Sequence, residues 1–379
     1  MNVLSIGTDK KIFEAGSAAR MRMIEYGTLF KELHIIIFTL KKQGFKAEKI
    51  AENVWIYPTN SLSRFLYPFS AFRLFKKNLK QTAFDVVTAQ DPFETGIAAR
   101  LIARKIKKPL HIQIHTDFLS RYFKKNSPLN WLRVRIAHFI LLKASAVRAV
   151  SERIRSSLSA ISPDLPARTI VLPIYTDMSK FIDGPVSFNL HEKYPQFSFI
   201  TLMVSRLTPE KNIPTALAIM REVVIKNPKA GLVIVGDGPD KHYLQALALK
   251  YHLDRNVIFE SWQDELAPYY RSADIFLTTS FYEGYGLTLI EAGASGCPIV
   301  SSDVGIAPEI IENGKTGFVC DSVEPQDFTE KIILLMESPA LRKTLGDSLR
   351  AAVSQKFAQT KESYLASYKT MLEKAALLS

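Results

Sequence analysis

An apolar run, a glycine-containing loop and a second apolar run follow one another in residues 275–292, IFLTTSFYEGYGLTLIEA. The first run predicts a buried strand, and the residues after Gly286 have the pattern of a helix. Gly284 and Gly286 would let backbone amides approach a ligand closely. The helix that begins near Leu287 would direct its positive amino end toward an anion. The stretch therefore predicts a strand–loop–helix unit with an anion site after the strand.

Short apolar runs alternate with helical patterns along the whole chain, which indicates parallel sheets covered on both faces. A length of 379 residues exceeds one hydrophobic core, so we predict two doubly wound α/β domains. Turn residues at Asp183-Gly184-Pro185 place the domains at 1–183 and 184–359, with a helix at about 360–379 packing back onto the first. The predicted strands are Val3–Ile6, His34–Phe38, Val54–Tyr57, Val86–Ala89, Leu110–Ile114, Phe199–Val204, Gly231–Val235, Val257–Phe259, Ile275–Thr278 and Ile299–Ser301.

Composition and charge restrict the compartment in which the protein works and the partners that it can meet. Two cysteines cannot form a disulfide framework, and the N-terminus reads as a first strand rather than a signal peptide, so we expect a cytoplasmic protein. No apolar run approaches the length of a membrane-spanning helix. Residues 1–185 hold 30 Lys and Arg against 14 Asp and Glu, a net charge of +16, whereas the remainder holds 19 against 23, a net charge of −4. The first half is therefore expected to meet an anionic partner: a membrane surface, nucleic acid or a phosphorylated substrate.

Four motifs, each after a predicted strand, carry a resemblance to a known family. Glu283-Gly284-Tyr285-Gly286-Leu287, with Glu291 eight positions after Glu283, resembles the Glu-x7-Glu motif of glycosyltransferase family 4, with Tyr285 in place of Phe. Residues 205–212, SRLTPEKN, resemble that family's Gly-Arg-Leu-x-x-Glu-Lys-Asn. Residues 236–239, GDGP, and 298–311, PIVSSDVGIAPEII, resemble two further family segments, although Ile306-Ala307 replaces the commoner second glycine.

The resemblance implies the GT-B fold, two doubly wound Rossmann-like domains facing across a cleft, with the donor in the C-terminal domain. Arg206 and Lys211 would carry the diphosphate, and the two glutamates would accept hydrogen bonds from sugar and ribose hydroxyls. The family's base contact falls near Ser261-Trp262. The implied catalytic residues are His115, Arg206, Lys211 and Glu283. The implied donor-binding residues are Gly16, Arg20, Gly236, Trp262, Glu283, Gly284, Tyr285, Gly286, Leu287 and Glu291.

The N-terminal half matches the family less closely. Residues 14–20, EAGSAAR, lie where the family usually has a glycine-rich loop, so Gly16 and Arg20 could approach the diphosphate. A plain helix start is the alternative interpretation. His115 follows the strand Leu110–Ile114, where the family has a histidine that reaches the donor sugar. A structural histidine is the alternative there.

The implied reaction is transfer of a hexose from a UDP- or GDP-sugar with retention of anomeric configuration. No Asp-x-Asp arrangement is placed to hold a metal diphosphate, so we expect no metal and no cofactor, with Arg206 and Lys211 neutralising the charge. We favour front-face attack over a double displacement. The alternatives are a non-catalytic sugar-nucleotide or membrane-binding module, and a related GT-B epimerase or phosphorylase.

Two basic, aromatic segments in the first half, residues 63–80 and residues 118–125 continuing to 131–135, favour a lipid or lipid-linked acceptor, because such segments lie in membrane interfaces. We expect peripheral attachment at the inner face of the membrane. Aromatics that face the core beside solvated lysines are one alternative. Single-stranded nucleic acid is another, but no nucleic-acid module accompanies the segments. The predicted membrane-binding residues are Arg64, Phe65, Phe69, Phe72, Arg73, Lys76, Lys77, Arg121, Lys124 and Lys125.

Overall fold

The computed structural model describes residues 1–321 and 323–378. The chain divides into two units, Met1–Pro173 with the segment from Gln359 onward, and Ile174–Ala358. Each unit has a mainly parallel sheet with helices packed against it, so the predicted α/β class is confirmed. The strands are β1 Asn2–Gly7, β2 Glu32–Ile37, β3 Glu48–Ala51, β4 Val54–Pro58, β5 Val86–Ala89, β6 Leu110–Ile114, β7 Ala146–Ala149, β8 Thr169–Val171, β9 Phe199–Val204, β10 Ala230–Val235, β11 Val257–Glu260, β12 Ile275–Thr278, β13 Ile299–Ser302 and β14 Phe318–Cys320.

Helices connect most of these strands, and short 3-10 turns lie at several loop positions. The helices are α1 Ala18–Gly27, α2 Tyr67–Asn78, α3 Glu94–Ile106, α4 Arg121–Asn126, α5 Pro128–Leu141, α6 Glu152–Ser157, α7 Ser179–Ile182, α8 Leu190–Lys193, α9 Ile213–Lys226, α10 Lys241–Lys250, α11 Ala267–Ser272, α12 Leu287–Ala294, α13 Ala307–Ile310, α14 Pro325–Glu337, α15 Pro339–Lys356 and α16 Lys361–Ala376.

The sheet of the first unit has the strand order β3-β4-β2-β1-β5-β6-β7-β8. Its pairings are parallel, apart from the antiparallel pair of β3 with β4. β1 pairs with β2 on one side and with β5 on the other, so the strand order reverses there. Ligands of such sheets bind beyond the carboxyl ends of the strands, which draws attention to the loops that follow β1, β2, β4 and β6.

The sheet of the second unit has the order β11-β10-β9-β12-β13-β14, with parallel pairing throughout. All six residues of β9, FITLMV, are buried, as expected for a strand covered on both faces. The order reverses between β9 and β12. The loops 205–212 and 279–286 leave the carboxyl ends of these two neighbouring strands. Two of the four family motifs therefore begin at the same point of the sheet.

The core of the second unit is built from the apolar faces of α9 and α14 against the sheet. Leu217 and Met220 of α9 and Phe328 and Ile332 of α14 are fully buried in one cluster with β9 and β10 residues. Burying an aliphatic or aromatic side chain of this size contributes roughly 1.5–3 kcal/mol. This packing fixes β9 and β12, and with them the two loops.

Helix α16 returns to the first unit and packs against β5 and β6. Tyr364 and Tyr368 lie on its buried face, and the ring of Tyr368 stacks on Tyr26 at 4.5 Å between centroids. The Tyr364 hydroxyl accepts a hydrogen bond from buried Arg148 over 3.1 Å and lies 3.1 Å from the Tyr26 hydroxyl. The last helix therefore completes the core and a buried polar network of the first unit.

The change from the first unit to the second lies after Pro173, ten residues before the predicted position at Asp183. Residues 181–184 are held by the second unit. Arg271 of α11 donates hydrogen bonds to the carbonyl oxygens of Phe181 and Gly184, and Arg350 of α15 donates to the carbonyl of Ile182. The turn residues that suggested a boundary therefore belong to a loop packed within the second unit.

Candidate functional site

Hydrogen bonds join the loops that follow β9 and β12. The Thr279 hydroxyl donates to the carbonyl oxygens of Lys211, over 3.1 Å, and of Asn212, over 3.0 Å. The amide of Phe281 donates to the carbonyl of Glu210 over 2.9 Å. The two motifs are thereby held side by side, as the topology predicts.

Lys211 and Glu283 meet at this point. Lys211 Nζ donates a hydrogen bond to Glu283 Oε1 over 2.5 Å, and the Ser280 hydroxyl donates to the same oxygen over 2.9 Å. Both charged side chains are mostly buried, so their attraction is screened less than that of a surface pair. The sequence predicted both residues but gave no signal for Ser280 as the third member.

Arg206 lies on the same loop but has a different acidic neighbour. Its guanidinium is 70% exposed and donates to Glu210 Oε1 over 3.2 Å. The Thr208 hydroxyl also donates to that oxygen, over 2.8 Å. The structure therefore gives Arg206 and Lys211 separate carboxylate partners on one loop, with Arg206 available to solvent.

Glu291 lies in the second turn of α12, and its carboxylate accepts a hydrogen bond from Tyr270. The distance from the Tyr270 hydroxyl to Glu291 Oε2 is 2.9 Å. Burial raises the pKa of Glu291, and the hydrogen bond from Tyr270 opposes that rise. Tyr270 itself is fully buried in α11, which raises its pKa well above the ordinary value. The sequence contained no pattern that singled out Tyr270.

Two glycines have conformations that a side chain would not tolerate. Gly286 precedes α12 at φ 92°, and Gly236 follows β10 at φ 152°. A Cβ atom at Gly236 would lie 1.9 Å from the carbonyl oxygen of Ser205. Tyr285, between Gly284 and Gly286, is buried, and its carbonyl accepts from the amide of Ile306 over 2.9 Å. Leu287 is half-buried at the first position of α12. The buried Tyr285 therefore holds the glycine loop against the segment that follows β13.

Trp262 lies in the loop after β11, and about half of its side chain is exposed. Its backbone amide donates to Asp237 Oδ2 over 2.8 Å, and Lys241 Nζ donates to Asp237 Oδ1 over 2.7 Å. Asp237 thus links the loops after β10 and β11. This linkage puts the backbone of Trp262 near the Gly236 turn.

His115 follows β6 in the first unit and is half-buried. Burial, followed by the charges of Arg148 and Arg22, lowers its pKa to about 3, so the imidazole is neutral near pH 7. The neighbouring Asp117 carboxylate lies 3.8 Å from Arg153 Nε. His111, four residues earlier on β6, is fully buried, and its Nδ1 lies 2.9 Å from the Thr88 hydroxyl.

Gly16 and Arg20 lie at the start of α1. Gly16 has φ 77°, and the Ser17 hydroxyl caps the helix by accepting from the Arg20 amide over 3.2 Å. The Arg20 guanidinium donates to Glu48 of β3 over 3.1 Å. The charge of Arg20 is therefore compensated within the first unit.

The two basic, aromatic segments expose some of their large aromatic side chains to solvent, which amphipathic core helices do not. Phe65 and Phe69 are largely exposed, whereas Phe72 is half-buried with Lys76 Nζ 4.9 Å from its ring centroid. Both segments contain exposed cations: Arg64, Arg73, Lys76, Lys77, Arg121, Lys124 and Lys125. In the second segment Trp131 is half-exposed, and Arg135 lies 4.8 Å from its ring centroid. Among the described helices, none combines the length and the apolar character needed to cross a membrane.

Two family models match the chain in its two halves. The model described as Glycosyltransferase Family 4 matches residues 31–177, and the model described as Glycosyl transferases group 1 matches residues 190–351. The chain belongs to glycosyltransferase family 4. This family 4 glycosyltransferase has the GT-B fold predicted from its motifs, and both predictions are confirmed.

Relatives of this family 4 glycosyltransferase align over most of its length. The N-acetyl-alpha-D-glucosaminyl L-malate synthase of Bacillus anthracis is 25% identical over 343 residues, which cover 86% of each chain. The alpha-monoglucosyldiacylglycerol synthase of Acholeplasma laidlawii is 25% identical over 364 residues, 90% of this chain and 88% of the relative. The structure of Anabaena Alr3699/HepE in complex with UDP-glucose has a TM-score of 0.75, 18% identity and full coverage of both chains, a likeness of fold alone.

Proposed function

We propose that this family 4 glycosyltransferase transfers a hexose from a UDP- or GDP-sugar to a lipid or lipid-linked acceptor at a membrane surface, with retention of anomeric configuration. The observation that carries the proposal is the contact of Lys211 with Glu283 where the strand order of the second unit reverses. A cation and a carboxylate held side by side suit a ligand that is both anionic and hydroxylated.

The donor assignment is supported residue by residue. Lys211 and the exposed Arg206 supply positive charge on one loop, and Gly286 presents the amino end of α12. Glu291 offers a carboxylate that a buried tyrosine orients. Trp262 presents half of an indole surface beside the Gly236 turn. Among the solved relatives of the fold, HepE binds UDP-glucose, which favours a UDP-sugar for this chain.

The proposed chemistry uses the two cations as the groups that stabilise the departing diphosphate. As the bond from the sugar to phosphate lengthens, negative charge grows on the leaving oxygen, and preorganised cations stabilise that charge best. Lys211 and Arg206 supply this stabilisation without a divalent ion. The acceptor hydroxyl attacks from the same face, and the leaving phosphate takes its proton, so configuration is retained without a covalent intermediate.

His115 is the proposed catalytic residue of the first unit. Its imidazole is held neutral by burial and by the nearby charges of Arg148 and Arg22. A neutral imidazole can donate or accept a hydrogen bond to a sugar hydroxyl without adding a second cation. This property suits contact with the donor hexose rather than with its diphosphate.

The acceptor proposal rests on the first unit's surface. Exposed Phe65 and Phe69, with the cations around them, suit insertion between lipid headgroups. The Acholeplasma relative is named for a glucosyldiacylglycerol product, which supports a lipid acceptor for this chain. We infer peripheral attachment to the inner face of a membrane.

Thermal unfolding in the presence of nucleotides tests the donor proposal. A ligand of the native state at a hundred times its Kd stabilises by about 2.7 kcal/mol. We expect UDP and UDP-glucose to raise the Tm more than GDP and GDP-mannose, and Lys211→Ala to reduce that rise. If none of the four ligands changes the Tm at saturating concentration, the donor proposal is wrong. Transfer to a lipid acceptor, followed with radiolabelled sugar, separates a transferase from an epimerase.

A further inference from the structure

A cavity of about 650 Å³ lies beyond the carboxyl ends of β2 and β4, two neighbouring parallel strands of the first unit. It is lined by Leu40, Lys41, Lys42 and residues 61–64. Ligands of parallel sheets bind at this edge. Two of its cations, Lys41 and Lys42, belong to neither of the basic, aromatic segments.

The floor of this cavity is built from cross-linked loops. The Thr39 amide donates to the Thr59 hydroxyl over 2.9 Å, and the Asn60 amide donates to the Thr39 hydroxyl over 2.9 Å. The Ser61 amide donates to the carbonyl of Thr39 over 2.8 Å, and the Lys41 amide donates to the carbonyl of Ser61 over 2.9 Å. Thr39, Thr59 and Ser61 are buried. The two loops therefore form one preorganised base for the side chains above it.

The walls of the cavity carry uncompensated positive charge. Lys41, Lys42 and Arg64 are exposed, and within residues 1–321 and 323–378 none of them forms an ion pair. The two loops, residues 38–47 and 59–66, contain neither Asp nor Glu. Three cations without acids around one concave surface match a phosphate group, which Arg can bind with two parallel hydrogen bonds.

The rim of the cavity is apolar and exposed. Leu62, which lines the cavity, is 79% exposed, and Phe65, which follows the lining residue Arg64, is 86% exposed. A water-soluble phosphate would leave these side chains in water, whereas a lipid would cover them with its acyl chains. The arrangement of cationic walls inside an apolar rim therefore fits a headgroup whose chains leave through the rim.

We propose that this cavity is the headgroup site for a phosphate-bearing lipid, with the phosphate between Lys41, Lys42 and Arg64 and the chains against Leu62 and Phe65. This inference rests on the proposed function, since it names the class of lipid that the first unit takes. It differs from general attraction to a bilayer because one lipid molecule occupies one site.

Calorimetry with short-chain lipids below their critical micelle concentration tests the site without a bilayer. The probes are dihexanoyl phosphatidylglycerol, dihexanoyl phosphatidylcholine and glycerol 1-phosphate, titrated into the full chain. We expect saturable binding of the phosphatidylglycerol and at least about tenfold weaker binding of the other two, because each lacks either net negative charge or acyl chains.

Two charge-matched triple variants separate the site from the overall field. The first is Lys41→Ala with Lys42→Ala and Arg64→Ala, which should weaken phosphatidylglycerol binding by at least about tenfold, as expected when charged hydrogen bonds to phosphate are lost. The second is Arg104→Ala with Lys105→Ala and Lys108→Ala, exposed residues before the amino end of β6. It changes the net charge equally and should alter binding less than about twofold, since exposed charges at a distance are screened.

Each arm can overturn the proposal. Equal losses in the two triple variants would show a general field and not a site. If glycerol 1-phosphate binds as tightly as the lipid, the apolar rim has no role in binding. The same conclusion follows if the double variant Leu62→Ser with Phe65→Ser binds the lipid as the wild type does. The rise in Tm with UDP, measured on the same proteins, keeps the two proposals distinct. If the first triple variant loses lipid binding but keeps the rise in Tm with UDP, the headgroup site is supported. If UDP does not raise the Tm of the wild type, only the donor proposal is contradicted.

Discussion

The hydroxyl of Tyr270 lies 2.9 Å from Glu291 Oε2 and donates a hydrogen bond to it. The preceding residue, Tyr269, is equally buried but donates to Glu260 instead. Two adjacent tyrosines of one short helix therefore orient two different glutamates, and only one of those glutamates belongs to the proposed donor site. This pair provides a matched test.

Tyr270→Phe should weaken UDP binding by about tenfold, the effect of losing one hydrogen bond that holds a charged group. If Glu291 accepts from the ribose hydroxyls, 2′-deoxy-UDP should be affected less than UDP. Tyr269→Phe should leave the preference for UDP over 2′-deoxy-UDP unchanged. Calorimetric titration of both nucleotides measures the ratio. An identical change of that ratio in both variants would contradict the orienting role of Tyr270.

Lys211→Ala and Glu283→Gln should each lower kcat by about 10²–10³, the usual cost of removing one preorganised group that stabilises charge in the transition state. Steady-state transfer kinetics measure the effect. Arg221→Ala is the control, because Arg221 is an exposed cation of α9 paired with Glu222. A variant of Lys211 with wild-type kcat would refute the proposed stabilisation of the diphosphate.

Removal of divalent metal should leave transfer intact. If Lys211 and Arg206 neutralise the diphosphate, activity in excess EDTA should remain within about twofold of the untreated enzyme, because no Lewis acid is required. Loss of activity in EDTA that Mn²⁺ or Mg²⁺ restores would show that a metal participates. The same assay on Arg206→Ala with added Mg²⁺ asks whether an ion can replace the guanidinium.

The free energy of unfolding should decrease as the pH is lowered below the ordinary pKa of histidine. Burial lowers the pKa of both His111 and His115 to about 3, so the folded chain keeps them neutral while the unfolded chain protonates them below about pH 6.5. Each such histidine lowers the unfolding free energy by about 1.4 kcal/mol per pH unit below that point. The stabilisation is complete above pH 6.5 and is lost progressively toward pH 3.

His111→Asn tests this dependence, because it removes one titrating group. Urea unfolding at pH 7 and pH 5 should show a smaller fall for the variant than for the wild type, by roughly 2 kcal/mol. Burial raises the pKa of Asp91 to about 6, which acts in the opposite direction over part of this range. The comparison is therefore made between the two chains, where the contribution of Asp91 cancels. Equal slopes would contradict a protonation-linked role for His111.

Binding to anionic vesicles should depend on the basic, aromatic segments. Sedimentation with phosphatidylglycerol vesicles should weaken as salt rises, because exposed charges are screened. Charge reversal should weaken it further, by about 1 kcal/mol per cation near the surface. The variant changes four lysines to Glu: Lys76, Lys77, Lys124 and Lys125.

A second variant with the same net charge controls for the overall field. It changes four other exposed lysines to Glu: Lys226, Lys229, Lys250 and Lys374. We expect this control to sediment nearly as the wild type does. Indifference of vesicle binding to reversal at α2 and α4 would rule out these helices as the membrane surface.

Much of the fold could be predicted because its central strands are short, nearly continuous apolar runs. The runs at β1, β9 and β12 stand out as strands, and their alternation with helices implies parallel sheets. β7, AVRA, was not predicted because Arg148 interrupts the apolar pattern. The buried guanidinium of Arg148 donates hydrogen bonds to Gln113, Tyr364 and two backbone carbonyls. These partners are distant in sequence, so the pattern around Arg148 does not reveal them.

The family motifs were predictable for a related reason: each is a short segment close to the carboxyl end of a strand. Lys211 and Glu283 were predicted as site residues with separate roles, and the contact between them was not predicted. Tyr270, Ser280 and Glu48 were not expected, because their importance comes from contacts with residues on other elements. Only the folded chain shows that Glu48 pairs with Arg20 and that Tyr270 reaches Glu291.

The discontinuous first unit affects the order in which the protein can fold on the ribosome. Residues 174–358 form a continuous unit, whereas residues 1–173 lack α16 until residues 361–376 have been synthesised. Tyr26, Gln113 and Arg148 must wait for their partners Tyr364 and Tyr368. Domains generally fold as they emerge. The part made second can therefore complete its core before the part made first, whose core stays open until α16 is made.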